Sequence, residues 1–284
     1  MTSPPIHIIC GATATGKSAL ALEQAKANGG VIINADSQQL YQDLRIITAR
    51  PSAEEEEAVP HKLYGILSGD EPADVAKWLK YARMEIDWAR DNGAIPYVVG
   101  GTGMYINALM HGIADIPDVP EEVRTQAEND LQQMGNAAFH ERLAAVDPDW
   151  AAKVEVNDRQ RMLRGYSVWL GTAKPLTYWQ QQTHMHFYAA EDFEVTWVQM
   201  EREALYARCD KRVEQMMQQG ALEEVAALLE RRYDAAYPIM RVIGVPELSA
   251  LIRGELREEE AIAKMQQSTR NYAKRQMTWF RNKL

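Results

Sequence analysis

Apolar residues are arranged in two ways along the chain. Short, mostly apolar runs occur at Ile6-His7-Ile8-Ile9-Cys10, Val31-Ile32-Ile33-Asn34-Ala35 and Pro96-Tyr97-Val98-Val99. Each is bounded by glycine or a polar turn and is too short for a buried helix, so each predicts a buried strand. Between them, apolar positions recur at helical spacing. One helix is expected from Lys17 to about Ala27, closed by Gly29-Gly30. A second, from Ala73 to about Asn92, carries Val75, Leu79, Ala82, Ile86 and Ala89 at that spacing. Strand, helix and strand in alternation predict an α/β fold: a parallel sheet flanked by helices, with ligands at the carboxyl ends of its strands.

Past about Asp115 the pattern changes. Asp115-Ile116-Pro117-Asp118-Val119-Pro120 has the composition of a linker, and about 121–182 is helical with few strand-like runs. Strand character returns from Phe193 to Met200, followed by helices broken near Gly220, Pro238 and Gly254. The expected organisation is an α/β core made of 1–114 and 191–284, with a helical C-terminal part, and a helical insert domain at 115–190.

A length of 284 residues with 46% hydrophobic and 25% charged side chains suits a core plus a smaller insert and excludes wholesale disorder. No apolar run approaches the ~18 residues that span a bilayer. The start, Met1-Thr2-Ser3-Pro4-Pro5, lacks the pattern of a secretory signal. Two cysteines, Cys10 and Cys209, make neither a disulfide framework nor a metal cluster. A cytoplasmic protein without a membrane partner is expected. The net charge of −9 argues against nucleic acid on average, but the average hides a division. From Ala261 to Leu284 stand six basic residues and no acidic one, while acid gathers elsewhere, as in Glu54-Glu55-Glu56-Glu57. RNA needs local positive charge, not a basic mean, although the same run would suit a solvated helix face.

The sharpest chemical signal follows the first strand. Gly11-Ala12-Thr13-Ala14-Thr15-Gly16-Lys17-Ser18 fits GxxxxGK[ST] and precedes a helix, the context a phosphate loop requires. A chance match in such a chain is on the order of 1 in 100. The glycines let backbone N–H groups form a nest for anionic oxygens, helped by the helix dipole. Lys17 adds a point charge, and Ser18 places a hydroxyl for Mg²⁺. The core is therefore a P-loop core for a diphosphate or triphosphate. A motor-type ATPase would also end another apolar strand in a carboxylate that holds Mg²⁺. Here the strand at 96–99 runs into Gly100-Gly101-Thr102-Gly103, and the acid that ends a buried strand is Asp36. Asp36 could bind metal, act as a base facing the phosphates, or cap the turn that begins at Ser37.

Several segments together resemble the tRNA dimethylallyltransferase family, or tRNA isopentenyltransferases. The phosphate loop is similar to that family's GPTASGKT, with Ala12, Thr15 and Ser18 as variants. Asp36-Ser37-Gln38-Gln39-Leu40-Tyr41 resembles DSxQxY, and Ile47-Thr48-Ala49-Arg50-Pro51 resembles GTAKP. Gly100 to Tyr105 is similar to GGTGLY, and Asn157 to Arg164 to NDPQRxxRALE. Ile243-Gly244 matches part of IGYKE, and Tyr272 to Arg281 resembles the long string YAKRQxTWFR. The matches run in order from residue 11 to 281.

The resemblance implies transfer of a dimethylallyl group from dimethylallyl diphosphate to the exocyclic amine of the adenine just 3′ of the anticodon in tRNA. It also implies Mg²⁺, a monomer, and a helical insert that contacts the anticodon stem-loop. By position in the motifs, Gly11, Ala12, Thr13, Ala14, Thr15, Gly16, Lys17 and Ser18 hold the diphosphate, with Ser18 toward the metal. Asp36 becomes the base, Thr102 lines the channel where the substrates meet, and Arg212 neutralises the leaving diphosphate. Near the adenine, Asp36, Ser37, Gln38, Gln39 and Thr102 touch tRNA. Further tRNA contacts fall on Arg124, Gln160, Arg161, Met162, Leu163 and Arg164 in the insert, and on Arg241, Gly244, Lys274, Arg275 and Arg281 beyond it. The chemistry agrees: charge grows on the diphosphate as the allylic C–O bond breaks, and the amine turns acidic as it is alkylated. No ATP need be consumed, which accounts for the missing carboxylate.

In the terminal segment, Lys274 with Arg281 and Arg270 with Arg275 recur at roughly helical spacing, interleaved with Tyr272, Trp279 and Phe280. Phosphate contacts plus stacking suit an anticodon loop, although Trp279-Phe280 is expected to pack partly inside. Four departures stand out. Arg50 replaces a lysine, which keeps charge but not hydrogen-bond geometry. Val245 replaces the tyrosine of IGYKE, with Pro246 after it. Gly165 stands where alanine is preferred, a cost of about 1 kcal/mol in a helix. No zinc-finger extension follows the last motif. His184 and His186 read as loop residues, not ligands. The competing readings are a P-loop small-molecule kinase with 160–164 as an arginine lid, prenyl transfer to free adenine nucleotide, and a nucleotide-gated RNA-binding protein without catalysis.

Overall fold

Five strands form one sheet: β1 Ile6–Gly11, β2 Gly30–Asn34, β3 His61–Lys62, β4 Ile95–Gly100 and β5 Phe193–Val198. Their order is β3-β2-β4-β1-β5, and every pairing is parallel. The structure is a computed structural model and describes residues 3–182 and 186–284. Because the strands are parallel, Gly11, Asn34 and Gly100 all end on the same edge. Burial explains why β1, β2 and β4 read as nearly continuous apolar runs: helices cover both faces of such a sheet. β3 has only two residues, too few for any hydrophobic period, so pattern alone does not reveal it.

The chain divides into two compact units, Met1–Met110 with Tyr188–Leu284, and His111–Phe187. In the first, α1 (Lys17–Asn28) follows β1, and α2 (Ala53–Ala58) absorbs the acidic run. Ser52 and Glu55 close a capping box there, and the carboxylates sit favourably in the first turn. α3 (Val75–Asp91) starts at the cap Asp74, whose side chain accepts from Lys77 N at 2.7 Å. It buries Trp78 against Tyr105 of α4 (Gly103–His111), ring centroids 4.5 Å apart, while Trp78 Nε1 donates to Asn34 O at 2.7 Å.

The second unit holds α5 (Glu121–Val146), α6 (Pro148–Ala151), α7 (Arg159–Thr172) and α8 (Leu176–Gln180). α5 breaks at Gly135, which takes φ 76° and ψ 166°. Leu131, Phe139, Leu143, Met162 and Tyr166 form its core. Asp147 is wholly buried, yet it accepts from Trp150 N, Thr177 N and Thr177 Oγ1 at 3.1, 3.0 and 2.6 Å, tying α6 to α8. Gly165 also finds its reason here. A Cβ at that position would lie 2.4 Å from the Trp150 ring, so the helix cost is offset by close packing. Returning to the first unit, β5 ends at Val198, two residues before the expected Met200, and α9 (Arg202–Gln218), α10 (Ala221–Glu230), α11 (Val245–Ile252) and α12 (Glu258–Lys283) complete it.

Candidate functional site

The phosphate loop bridges β1 and α1. Gly16 takes φ 97°, a left-handed conformation natural to glycine, and turns the chain so that α1 begins at Lys17. Thr15 Oγ1 donates to Ala12 O at 2.9 Å, and Lys17 Nζ lies 3.4 Å from the same carbonyl. Lys17 is buried, and burial pulls its ammonium from 10.5 down to about 8, with Asp36 opposing and Arg212 adding to the fall. Ser18 stands exposed beside it.

Lys17 and Ser18 open into a cavity of about 790 Å³. Its wall carries Arg45, Arg50, Arg208, Lys211 and Arg212 besides Lys17, against a single carboxylate, Glu55. Arg208 and Arg212 stand one turn apart on α9. Like charges at that spacing weaken a helix, so the pair makes sense as one wall of an anion site. From sequence alone Arg208 is no more than a like-charged neighbour that weakens the case for Arg212; the cavity brings both to one wall, with Lys211. Burial lowers the Arg212 guanidinium, with Asp36 and Cys209 opposing. Arg50 has its Nε buried without a hydrogen-bond partner, although the carboxylates of Glu56 and Glu224 lie near enough to favour its charge. Its Nη1 reaches Tyr41 O and Gln42 O only at 3.4 Å. Such a guanidinium suits a multivalent anion.

Next to this lies a smaller cavity of about 40 Å³, lined by Ile47, Val213, Met216, Ile243 and Met265 together with Thr13, Asp36, Gln38, Thr48, Thr269, Tyr272 and Arg212. Asp36 is buried at the end of β2, where Oδ1 accepts from Gln38 N at 3.0 Å. The carboxylate thus caps the 3₁₀ turn Ser37–Leu40, one of the roles open to it from sequence, and also borders a cavity. Since β2 and β4 are neighbours, their ends meet: Ser37 N donates to Thr102 Oγ1 at 2.9 Å, and Thr102 N donates to Ala35 O at 3.1 Å. Gly100 permits this contact, because a Cβ there would lie 2.1 Å from Ala35 backbone atoms. Tyr272 belongs here rather than on an exposed stacking face. Its phenol bonds Thr102 and Gln38, and burial pushes its titration up. Gln39 turns away, its Nε2 donating to Thr48 O and Ala49 O at 3.0 and 2.8 Å.

One residue of this region escapes sequence analysis. On α12, Gln276 is buried, accepts from Thr13 N at 2.8 Å and donates to Gly101 O at 2.9 Å. It joins the phosphate loop to the glycine loop across 263 and 175 residues of sequence. Its signals in the chain are its position in the string that resembles YAKRQxTWFR and its place on the buried side of the helix with Ala273 and Phe280. Gln276→Leu leaves one buried N–H and one buried C=O unpaired. A stability loss of about 1–3 kcal/mol for each is expected, read as a lower denaturant midpoint at unchanged slope.

The remaining expected RNA contacts fall into two groups. Arg124, Gln160, Arg161 and Arg164 are exposed in the second unit. Arg161 lies 4.9 Å over the Trp150 ring, and Arg164, exposed along its side chain, has a partly covered guanidinium that is lowered by this desolvation and then by Arg124. Met162 is a correction: it is wholly buried, so its side chain is withdrawn from any RNA, whereas Leu163 is half-buried against the same core. In the first unit Lys274, Arg275, Arg281 and Arg241 are exposed. Arg270 is tied to Asp210, so it does not serve as the spacing suggests, while Phe280 is wholly buried, in line with the expected packing of Trp279-Phe280. Gly244 is buried with φ 98°, where a Cβ would lie 2.3 Å from Ile47, which gives it a packing role. Val245 is likewise buried, and Pro246 occupies the first turn of α11, where proline is tolerated. His186 is an exposed loop residue, and His184 lies outside the described residues.

A phosphate loop at the end of a central parallel strand, facing a cation-lined cavity, defines a P-loop α/β protein with an anion site. A family model described as IPP transferase matches residues 39–283, and one described as isopentenyl transferase matches residues 4–64. The chain belongs to the IPP transferase family. It is similar to the tRNA dimethylallyltransferase of Rhodospirillum centenum, 48% identical over 280 residues, which cover 99% of this chain and 89% of the relative. That of Azorhizobium caulinodans is 46% identical over 281 residues, covering 99% and 90%. Among solved structures, the tRNA isopentenylpyrophosphate transferase of Staphylococcus epidermidis superposes with a TM-score of 0.69 at 36% identity, covering 99% of this chain and 91% of that one. A eukaryotic dimethylallyltransferase acting on tRNA gives a TM-score of 0.82 at 29% identity, covering 98% and 70%.

Proposed function

We propose that the protein transfers a dimethylallyl group from dimethylallyl diphosphate to the exocyclic amine of the adenine just 3′ of the anticodon in tRNA, acting as a cytoplasmic monomer. The observation that carries this reading is Arg212, which lines both cavities. A diphosphate held by the phosphate loop, Arg50 and Arg212 would then lie beside the small cavity that Asp36 lines, whose apolar side chains Ile47, Val213, Met216, Ile243 and Met265 would face the prenyl chain. As the allylic C–O bond breaks, its electron pair passes to the diphosphate oxygen, where Lys17 and Arg212 stabilise the charge. The adenine amine supplies the pair for the new C–N bond and loses its proton to the Asp36 carboxylate. Thr102 and Tyr272, bonded around Ser37 and Gln38, keep the acceptor side of Asp36 in place.

Among the described residues no group of three or more His, Cys, Asp or Glu side chains could hold a metal. Mg²⁺ fits in one way: Ser18 Oγ as a single protein ligand, with diphosphate oxygens and water completing the shell, an arrangement this ion favours. Bound there, it would supply positive charge to the leaving group. No helix among the described residues is long and apolar enough to cross a membrane.

The reading is tested by incubation with labelled dimethylallyl diphosphate and either unmodified tRNA or adenosine monophosphate. Label is expected in tRNA alone. Label in the free nucleotide would favour the small-acceptor reading, and ATP consumption without prenyl transfer would favour a kinase.

The RNA grip has its own expected signature. Neutralising Lys274, Arg275 and Arg281 together removes three exposed cations from α12, none of which lines either cavity. The salt dependence of tRNA binding should flatten by roughly 0.7–0.9 in log–log slope for each phosphate that is no longer neutralised. Dimethylallyl diphosphate affinity should stay unchanged. A folded triple variant with wild-type salt dependence would make α12 an ordinary solvated helix.

A further inference from the structure

The loop from Leu44 to Pro51 presents Arg45 and Arg50 to the large cavity, yet it lies in no helix or strand. Part of what fixes it lies outside the cavity. On α10, half-buried Glu224 accepts hydrogen bonds from three successive backbone N–H groups of this loop. Arg45 N and Ile46 N reach Oε1 at 2.7 and 2.8 Å, and Ile47 N reaches Oε2 at 2.9 Å. Glu224 itself is not part of the cavity wall. The bland role for a glutamate early in α10 is to complement the helix dipole, but its oxygens are engaged by a segment 177 residues away.

What the loop does next gives the contact its meaning. Thr48 O accepts from Arg212 Nη2 at 3.2 Å and from Gln39 Nε2 at 3.0 Å. The Arg45 guanidinium folds back onto Pro51 O at 2.6 Å, closing the turn from which Arg50 projects with its unpartnered Nε. A shift of the three N–H groups would therefore move Arg50 and the carbonyl that aims Arg212. We propose that Glu224 is a positioning residue of the leaving-group site, a buttress that holds Arg50 and Arg212 in register for a diphosphate. This rests on the reading of the large cavity as a diphosphate site.

A carboxylate accepts through both oxygens, and bonds to a charged acceptor are the stronger kind. Glutamine at 224 offers one accepting oxygen and turns an N–H₂ toward a backbone donor. Aspartate keeps the charge but is one methylene shorter. Inorganic diphosphate binding is measured by calorimetry for the whole protein, alongside KM and kcat. In Glu224→Gln, the diphosphate Kd and the KM for dimethylallyl diphosphate should rise at least about tenfold and kcat should fall, because Arg212 meets charge that grows in the transition state, while tRNA affinity holds within a few-fold. Glu224→Asp should restore part of the loss. Glu223→Gln, exposed on the same turn, should leave all values unchanged.

A Glu224→Gln protein that binds diphosphate as tightly as wild type, whatever its thermal stability, overturns the proposal. Should that variant not fold, Glu224→Asp decides on the same measurement: weaker diphosphate binding supports the buttress and wild-type binding overturns it. Wild-type protein that binds no diphosphate would overturn the underlying reading as well. It is recognised because neither protein then binds.

Discussion

Lys17→Ala is expected to slow prenyl transfer by roughly 10²–10³-fold, about 3–4 kcal/mol of transition-state stabilisation, as when one oxyanion donor is removed. The lysine sits at the first position of α1, buried, with its ammonium 3.4 Å from Ala12 O in the phosphate loop. Burial holds its titration down at about 8, so the unliganded site keeps the proton at pH 7 and loses it near pH 9. A diphosphate binds the charged form. Its affinity should be flat below about pH 7 and fall about tenfold per pH unit above about 8. In Lys17→Ala that dependence should vanish. Stability runs the other way: the unfolded chain keeps a proton that the folded one releases. Unliganded protein should therefore gain stability as pH rises from about 8 toward the ordinary lysine value of 10.5. Near wild-type turnover in Lys17→Ala would remove the phosphate loop from the reaction.

Asp36→Asn should lower turnover by roughly 10²–10⁴-fold, the range for a lost general base. The substitution is gentle to the fold, because an amide oxygen can still accept from Gln38 N and keep the 3₁₀ turn. Removing the carboxylate also removes repulsion of an incoming diphosphate. At pH 7 the variant should therefore bind dimethylallyl diphosphate at least as tightly as wild type, and tRNA within a few-fold. This combination separates chemistry from grip. A variant that loses only tRNA affinity would show Asp36 to be a contact and not the base. Single-turnover rates with saturating tRNA give the answer directly.

Legibility in the sequence follows distance along the chain. The phosphate loop, Asp36 at a strand end and the helix after each strand are readable because each depends on neighbours within a few residues. Asp36 illustrates the limit. Its cap bond to Gln38 is local, and the turn signal is visible in the residues that follow. Its place beside Arg212, 176 residues away, is implied only by resemblance to a family, and its place beside Tyr272, 236 residues away, by nothing in the sequence. Helical spacing misleads where it treats every residue of a motif as surface. Met162 stands in a basic, RNA-like string, but a helix gives its apolar positions to the core whatever surrounds them.

By itself the chain determined its α/β class, the phosphate loop and the basic terminal helix, because backbone conformation, hydrophobic period and charge count are short-range properties. Only the tertiary structure decided which of those parts share a site. The strand order β3-β2-β4-β1-β5 sets the end of β4 between those of β1 and β2, and so brings Thr102 to Ser37 and Gly101 to Gln276. Packing of α9 and α10 then supplied Arg208, Lys211 and Glu224 to a loop far away in sequence. Such contacts gain energy only after long chain loops have closed, and no local pattern of residues records which closures a folded core will favour.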